Sequence, residues 1–211
     1  MYLLDVNVLV AFWYRDHTAH RRVARWIRHE LRNPEAKPFR TCAIVELGFI
    51  RVASGSAGFA ETVENAREDL RSTKAHLRTT FLNDEVEGER QPSWVTKASQ
   101  TTDGHLFELA KQHNLSFATL DRGIRGATLL PAPDLGIEVK EPAPAYADNR
   151  DTVDDDPSEL LIYHPDEALV PGYPFPRWAI CPISGYPHVR SRPGARKVTN
   201  EEVREALEDF P

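Results

Sequence analysis

The feature that most limits this chain is a carboxylate set directly against an apolar strand. Tyr2, Leu3 and Leu4 read as a short buried strand, and Asp5 follows at once. Val6, Asn7 and a second apolar run, Val8–Phe12, come next. A charge does not sit in a dry core unless it is paired, protonated or bound to metal. Both halves of the stretch are satisfied if Asp5 lies at the carboxyl end of the strand, where the chain turns into a helix. In open α/β sheets that edge is where ligands bind. Asn7 is expected to cap the helix through its side-chain oxygen. Taken alone, Asp5 fits a simple turn residue equally well.

A second stretch, TTDGHLFELAKQHNLSFATLDRG, has the same grammar. Thr102 reads as a helix cap, with Asp103 at the first helical position. Leu106, Phe107, Leu109 and Ala110 fall on one side. A short apolar strand, Ser116–Leu120, then ends directly on Asp121. Between the two stretches, Thr18 is expected to cap a helix reaching Arg32, with His20, Val23, Ala24, Ile27 and Leu31 on one stripe. Phe39–Thr41 reads as a strand, and Thr41 as the cap of a helix over Cys42–Ala53 with Ala43, Leu47 and Ile50 inward. Glu46 stands alone in the apolar run CAIVELGFI. A long helix through Leu70 and Leu77 and a strand within Arg78–Leu82 follow. Gly136–Val139 is expected as a last strand. In an α/β fold with its strands in parallel, the ends of these elements share one edge of the sheet.

Length and an apolar content of 41 % suit one domain plus an extension. The mean hydropathy is −0.48. Cys42 and Cys181 are the only cysteines, and neither has a partner at metal or redox spacing. That fits a reducing cytosol, so a cytoplasmic location is expected. No signal peptide and no membrane span are read. His105, His113, His164 and His188 lack ligand spacing and are expected in structural or surface roles.

Charge divides the chain. Residues 1–140 hold 19 Lys and Arg against 18 Asp and Glu, whereas residues 141–211 hold 7 against 14. Arg15–Arg40 carries eight basic residues and three acidic ones. Arg21, Arg22, Arg25 and Arg28 point away from the helix stripe. They form either a solvated face or a ridge that contacts phosphates. Residues 1–140 are thus the expected domain, 141–158 an acidic Pro-rich linker, and 159–211 an extension. In the extension, Thr199–Glu202 is a capping box ahead of a helix, Asn200–Phe210, whose Val203, Leu207 and Phe210 would dock on the first domain. Arg190, Arg192, Arg196 and Lys197 lie in a Pro/Gly-broken segment of the shape to cross a cleft lined by carboxylates. Alternatively, the tail decorates the surface or extends a dimer interface.

Asp5, Glu46, Asp103 and Asp121 can converge at one edge of such a fold. Crowded carboxylates hold a proton unless a cation neutralises them. Oxygen-only ligation selects a hard cation, Mg²⁺ or Mn²⁺. Ions held this way activate water and stabilise in-line phosphoryl displacement.

LLDVNVLVA, the apolar helix with Glu46, TTDGHLFELA and ATLDRG, in this order, resemble the acidic motifs of PIN-domain nucleases. They are most similar to those of VapC-type toxins of bacterial toxin–antitoxin pairs. The resemblance covers roughly residues 1–140. It implies a three-layer α/β/α PIN-like fold with a central parallel sheet, Mg²⁺ or Mn²⁺ dependence, and RNA cleavage. By position, Asp5, Glu46, Asp103 and Asp121 are the implied acidic quartet. Asp5, Asp103 and Asp121 would hold the metal, with Asn7 and Thr119 as polar neighbours. The implied partners are RNA and a small antitoxin protein, or the chain's own extension in that role, and a homodimer is expected. The family pattern does not account for the extension. Two other readings stay open. One is a catalytically silent PIN-like module that binds RNA or protein. The other is a haloacid-dehalogenase-like phosphatase, suggested by DVNVL, although Asn7 stands where that family has its second acid.

Overall fold

The computed structural model describes residues 1–33, 35–55, 59, 61–130, 178–189 and 196–208. The strand expected at Gly136–Val139, the 141–158 linker, His164 and Phe210 lie outside the described residues. Five parallel strands make one sheet: β1 (Tyr2–Leu4), β2 (Phe39–Cys42), β3 (Thr80–Leu82), β4 (Ser116–Thr119) and β5 (Thr128–Leu129). Their order is β3-β2-β1-β4-β5. Central β1 pairs Tyr2 with Phe39 on one side and with Ser116 on the other. Leu3 and Leu4 are fully buried because both faces of the sheet are covered. With helices on those faces, this is the expected three-layer α/β/α architecture.

The helices are α1 (Val6–Trp13), α2 (His20–Glu30), α3 (Ala43–Ser54), α4 (Val63–Leu77), α5 (Thr101–Gln112) and α6 (Asn200–Glu208). All eight residues of α1 are buried. A helix apolar on every side must be wrapped on every side. The α2 stripe is as read: His20, Val23, Ala24, Ile27 and Leu31 are all buried. Its start is not. Thr18 donates its amide to the Val198 carbonyl, and the helix begins at His20. In α3 the inward face is Val45, Gly48, Phe49 and Val52, while Leu47 is exposed. The phase is set by Gly48, where a Cβ would come within 2.6 Å of Val6 Cγ2. Only the side without a side chain can meet α1 so closely. Thr102 lies inside α5 rather than capping it, which puts Asp103 third in the helix.

The extension contributes an antiparallel hairpin, β6 (Trp178–Ile180) and β7 (Pro187–Val189), and then α6. Gly185, at φ +74°, serves the turn. Trp178 packs edge-on against Trp13 at 5.8 Å, and Tyr186 against Phe12 at 6.2 Å. The hairpin is therefore part of the wrapping of α1. The capping box forms as read: Glu202 N donates to Thr199 Oγ1 and Thr199 N to Glu202 Oε2. Val203 is buried, with α6 packed on α3. Among the described residues, no helix is long and apolar enough to cross a membrane.

Candidate active site

From β1 the chain steps outward to β2 and β3, then returns to lay β4 on the other side of β1. At such a reversal the connections leave the sheet in opposite directions, and a crevice opens at the carboxyl ends. Asp5 and Asp121 stand on either side of it. The Asp5 amide donates to the Ala118 carbonyl at 3.0 Å, so its side chain begins where the ladder stops. Thr119, at the end of β4, donates its hydroxyl to Asp5 Oδ2 at 2.6 Å. The same hydroxyl accepts from the Asp121 amide at 3.0 Å. Asp121 Oδ1 accepts from the Gly123 amide, which turns the chain away. Asp103 enters from the first turn of α5. Asp5, Asn7, Asp103 and Asp121 line one pocket of about 80 Å³ with Ile44, Gly48, Arg204 and Leu207.

The pocket is poised between charged and neutral. Burial pushes the Asp5 carboxyl up to about 6. The Thr119 hydroxyl opposes this, and the charge of Asp121 adds to it. Burial, then the charges of Asp5 and Asp121, take Asp103 to about 7 against the pull of Arg204. Asn7 is the second residue of α1 and does not cap it. Its Oδ1 is buried without a hydrogen-bond partner among the described residues. Carboxylates that repel one another, with a neutral oxygen lacking a donor beside them, form an oxygen-only set. That set fits a hard divalent cation, Mg²⁺ or Mn²⁺.

Glu46 does not join them. Its Oε1 accepts from Thr41 Oγ1 at 2.7 Å and pairs with Lys74 Nζ at 2.5 Å. The reason is helix phase. Ile44 and Gly48 line the pocket, and a residue two positions from each lies about 200° around the helix. Thr41, expected as a cap, is used to hold Glu46 instead.

The cation found at the pocket comes from α6: Arg204 Nη2 lies 2.8 Å from Asp121 Oδ2. Of the arginines expected there, Arg190 and Arg192 lie outside the described residues, and Arg196 pairs with Glu202 on its own segment. Arg204 stands next to Val203 in the helix, and no spacing in the sequence singles it out. Arg21, Arg22, Arg25 and Arg28 are exposed along α2. Arg28 donates to the Ile183 carbonyl at 2.8 Å and so helps hold the hairpin.

The geometry agrees with what this chain is similar to. Residues 2–128 match the PIN domain model. Ribonuclease VapC44 of Mycobacterium tuberculosis is 33 % identical over 130 residues, which span 58 % of this chain and 87 % of the relative. Ribonuclease VapC29 of the same organism is 29 % identical over 126 residues, 58 % of this chain and 86 % of the relative. Ribonuclease VapC39 is 29 % identical over 130 residues, 58 % and 89 %. With the acids of its sheet edge gathered in one pocket and the matched residues ending where the described part of that sheet ends, this chain belongs to the PIN-domain family and, within it, is of the VapC type.

Proposed function

We propose that the chain is a divalent-cation-dependent endoribonuclease, the toxin of a toxin–antitoxin pair, whose own α6 restrains its active site. The observation that carries this reading is the meeting of Asp5, Asp103 and Asp121 in a pocket that raises the proton affinity of two of them. The names of the relatives supply the substrate class. When bound there, a Mg²⁺ or Mn²⁺ ion supplies a lowered pKa for the attacking water and charge neutralisation for the phosphate. The chain does the rest. Thr119 holds Asp5 in place through its hydroxyl. Asp5, Asp103 and Asp121 would hold the ion through their carboxylate oxygens. Asn7 Oδ1, buried without a donor, would add a neutral oxygen to that set. Arg21, Arg22 and Arg25 contribute contacts to phosphates, which position an RNA without reading its sequence. The phosphatase reading falls with the family.

The test is cleavage of a defined RNA by the full chain in Mn²⁺. Asp5→Asn keeps shape and removes charge, so it should reduce cleavage at least about 100-fold while the protein stays folded. Excess EDTA should do the same. Undiminished cleavage in either case overturns the assignment. The silent-module reading predicts no cleavage even when the restraint is released by Arg204→Ala.

A further inference from the structure

Away from the carboxylate pocket, three buried side chains face one another: His20 at the start of α2, Cys181 just after β6, and His188 in β7. Their ligand atoms all lie within 4.8 Å of one another. His20 Nδ1 stands 2.9 Å from the Ala11 carbonyl, which only accepts, so Nδ1 carries the proton. The lone pair of Nε2 is thereby aimed inward, at Cys181 Sγ 3.4 Å away. A backbone carbonyl fixing one ring nitrogen so that the other is bare is how metal-binding histidines are held. His188 is 1 % exposed and shares a side-chain hydrogen bond with Cys181, which leaves its other ring nitrogen without a partner among the described residues. Its ring centre is 5.3 Å from that of His20, tilted by 55°. A buried imidazole with an unpaired nitrogen is costly unless something binds it.

We propose that His20, Cys181 and His188 form a zinc site, separate from the carboxylate pocket, that clasps the C-terminal hairpin to α2. One thiolate and two imidazoles are a zinc donor set. Bonds of about 2.3 Å to sulfur and about 2.0 Å to nitrogen give a tetrahedral edge of about 3.5 Å, close to the His20–Cys181 separation. The fourth position falls to water. On binding, the Cys181 S–H bond breaks, the sulfur keeps the electron pair and binds the ion, and the proton passes to solvent. A copper site of this type uses a weak axial thioether. The chain's one methionine, Met1, is instead at its exposed end beside Arg40. The hairpin explains why two donors meet: Ala179 pairs with His188, and Cys181 N donates to the Tyr186 carbonyl across the turn. The third comes from 161 residues earlier in the chain than Cys181. No spacing rule could pair them, which is why Cys181 and His188 read as unpartnered in the sequence. A metal here tethers the segment that precedes α6 and Arg204.

The experiment measures zinc by mass spectrometry in the full-length chain, purified without metal-affinity resin. About one zinc per chain is expected, retained in Asp5→Asn and Cys42→Ser and lost in Cys181→Ser and His188→Ala. In a second arm that needs no altered ligand to fold, demetallated wild type is titrated with Co²⁺. A thiolate-to-cobalt charge-transfer band should saturate at about one equivalent. The carboxylate pocket contributes no sulfur and cannot produce it. Zinc that leaves with Asp5→Asn but stays in Cys181→Ser belongs to the carboxylate pocket and overturns the proposal. So does a folded wild type with neither zinc nor the cobalt band, in which the three residues form a thiol–imidazole cluster only.

Discussion

At the scale of single residues, Asp103 gives the sharpest test of the pocket. Its folded pKa, about 7, lies above the ordinary aspartate value. The neutral form is thus favoured by folding, and that stability is fully present below about pH 4. It drains away as pH rises through 7. Asn is isosteric with the neutral acid. In metal-free buffer, Asp103→Asn should match wild type near pH 4 and exceed it above pH 7. The excess should be on the order of a few kcal/mol, the linkage equivalent of the rise from 3.8 to about 7, in which the pull of Arg204 is already included. Thermal unfolding of both proteins across this range is the measurement. Mn²⁺ at pH 7.5 should raise the midpoint of wild type more than that of the variant. A difference that does not change with pH means the acids do not repel as described. Asp5, held up to about 6 by burial, should behave alike over a slightly lower window.

At the scale of elements, α6 and α2 carry opposite expectations. Arg204 is half exposed and its bond to Asp121 is partly screened, so Arg204→Ala should cost at most about 1 kcal/mol of stability. It should nevertheless raise RNA cleavage several-fold, because it removes the cation that competes for Asp121. Initial rates at equal protein and Mn²⁺ read this directly. Equal or lower rates would make α6 a structural cover with no restraining role. On α2, replacing Arg21 and Arg22 together by Ala should flatten the log affinity against log salt plot for single-stranded RNA by about 0.7 per lost phosphate contact. An unchanged slope leaves the arginines as a solvated face. Arg28 is a poor choice for that test, because its loss also frees Ile183 and the hairpin.

For the whole molecule, the extension behaves as part of the core. Phe12 and Trp13 are 1 % and 0 % exposed, and Tyr186 and Trp178 are among the groups covering them. A chain ending at Leu130 would uncover a large aromatic surface and should aggregate or unfold at lower temperature. Trp178→Ala in the full chain should cost about 2–4 kcal/mol, read as a shift in denaturant midpoint at constant slope. A truncated chain that is monomeric with an unchanged melting temperature would make the hairpin an appendage. Deleting the extension therefore confounds relief of restraint with loss of core. The single substitution at Arg204 separates the two.

Much of this molecule follows from local pattern. A carboxylate abutting an apolar run is satisfied at the strand's edge, and Asp5 and Asp121 both lie there. The same logic exposes the α2 stripe and the capping box at Thr199 and Glu202, because periodicity encodes which face of an element is buried. It does not encode what lies against that face. Helix phase, set by the close approach of Gly48 to Val6, removed Glu46 from the acids it accompanies in sequence. The chain's path brought Arg204 to Asp121, while Arg196 pairs with Glu202 on its own segment. It also carried Cys181 and His188 to His20. Such pairings depend on the mutual placement of distant elements in the packed core, which only the tertiary structure decides.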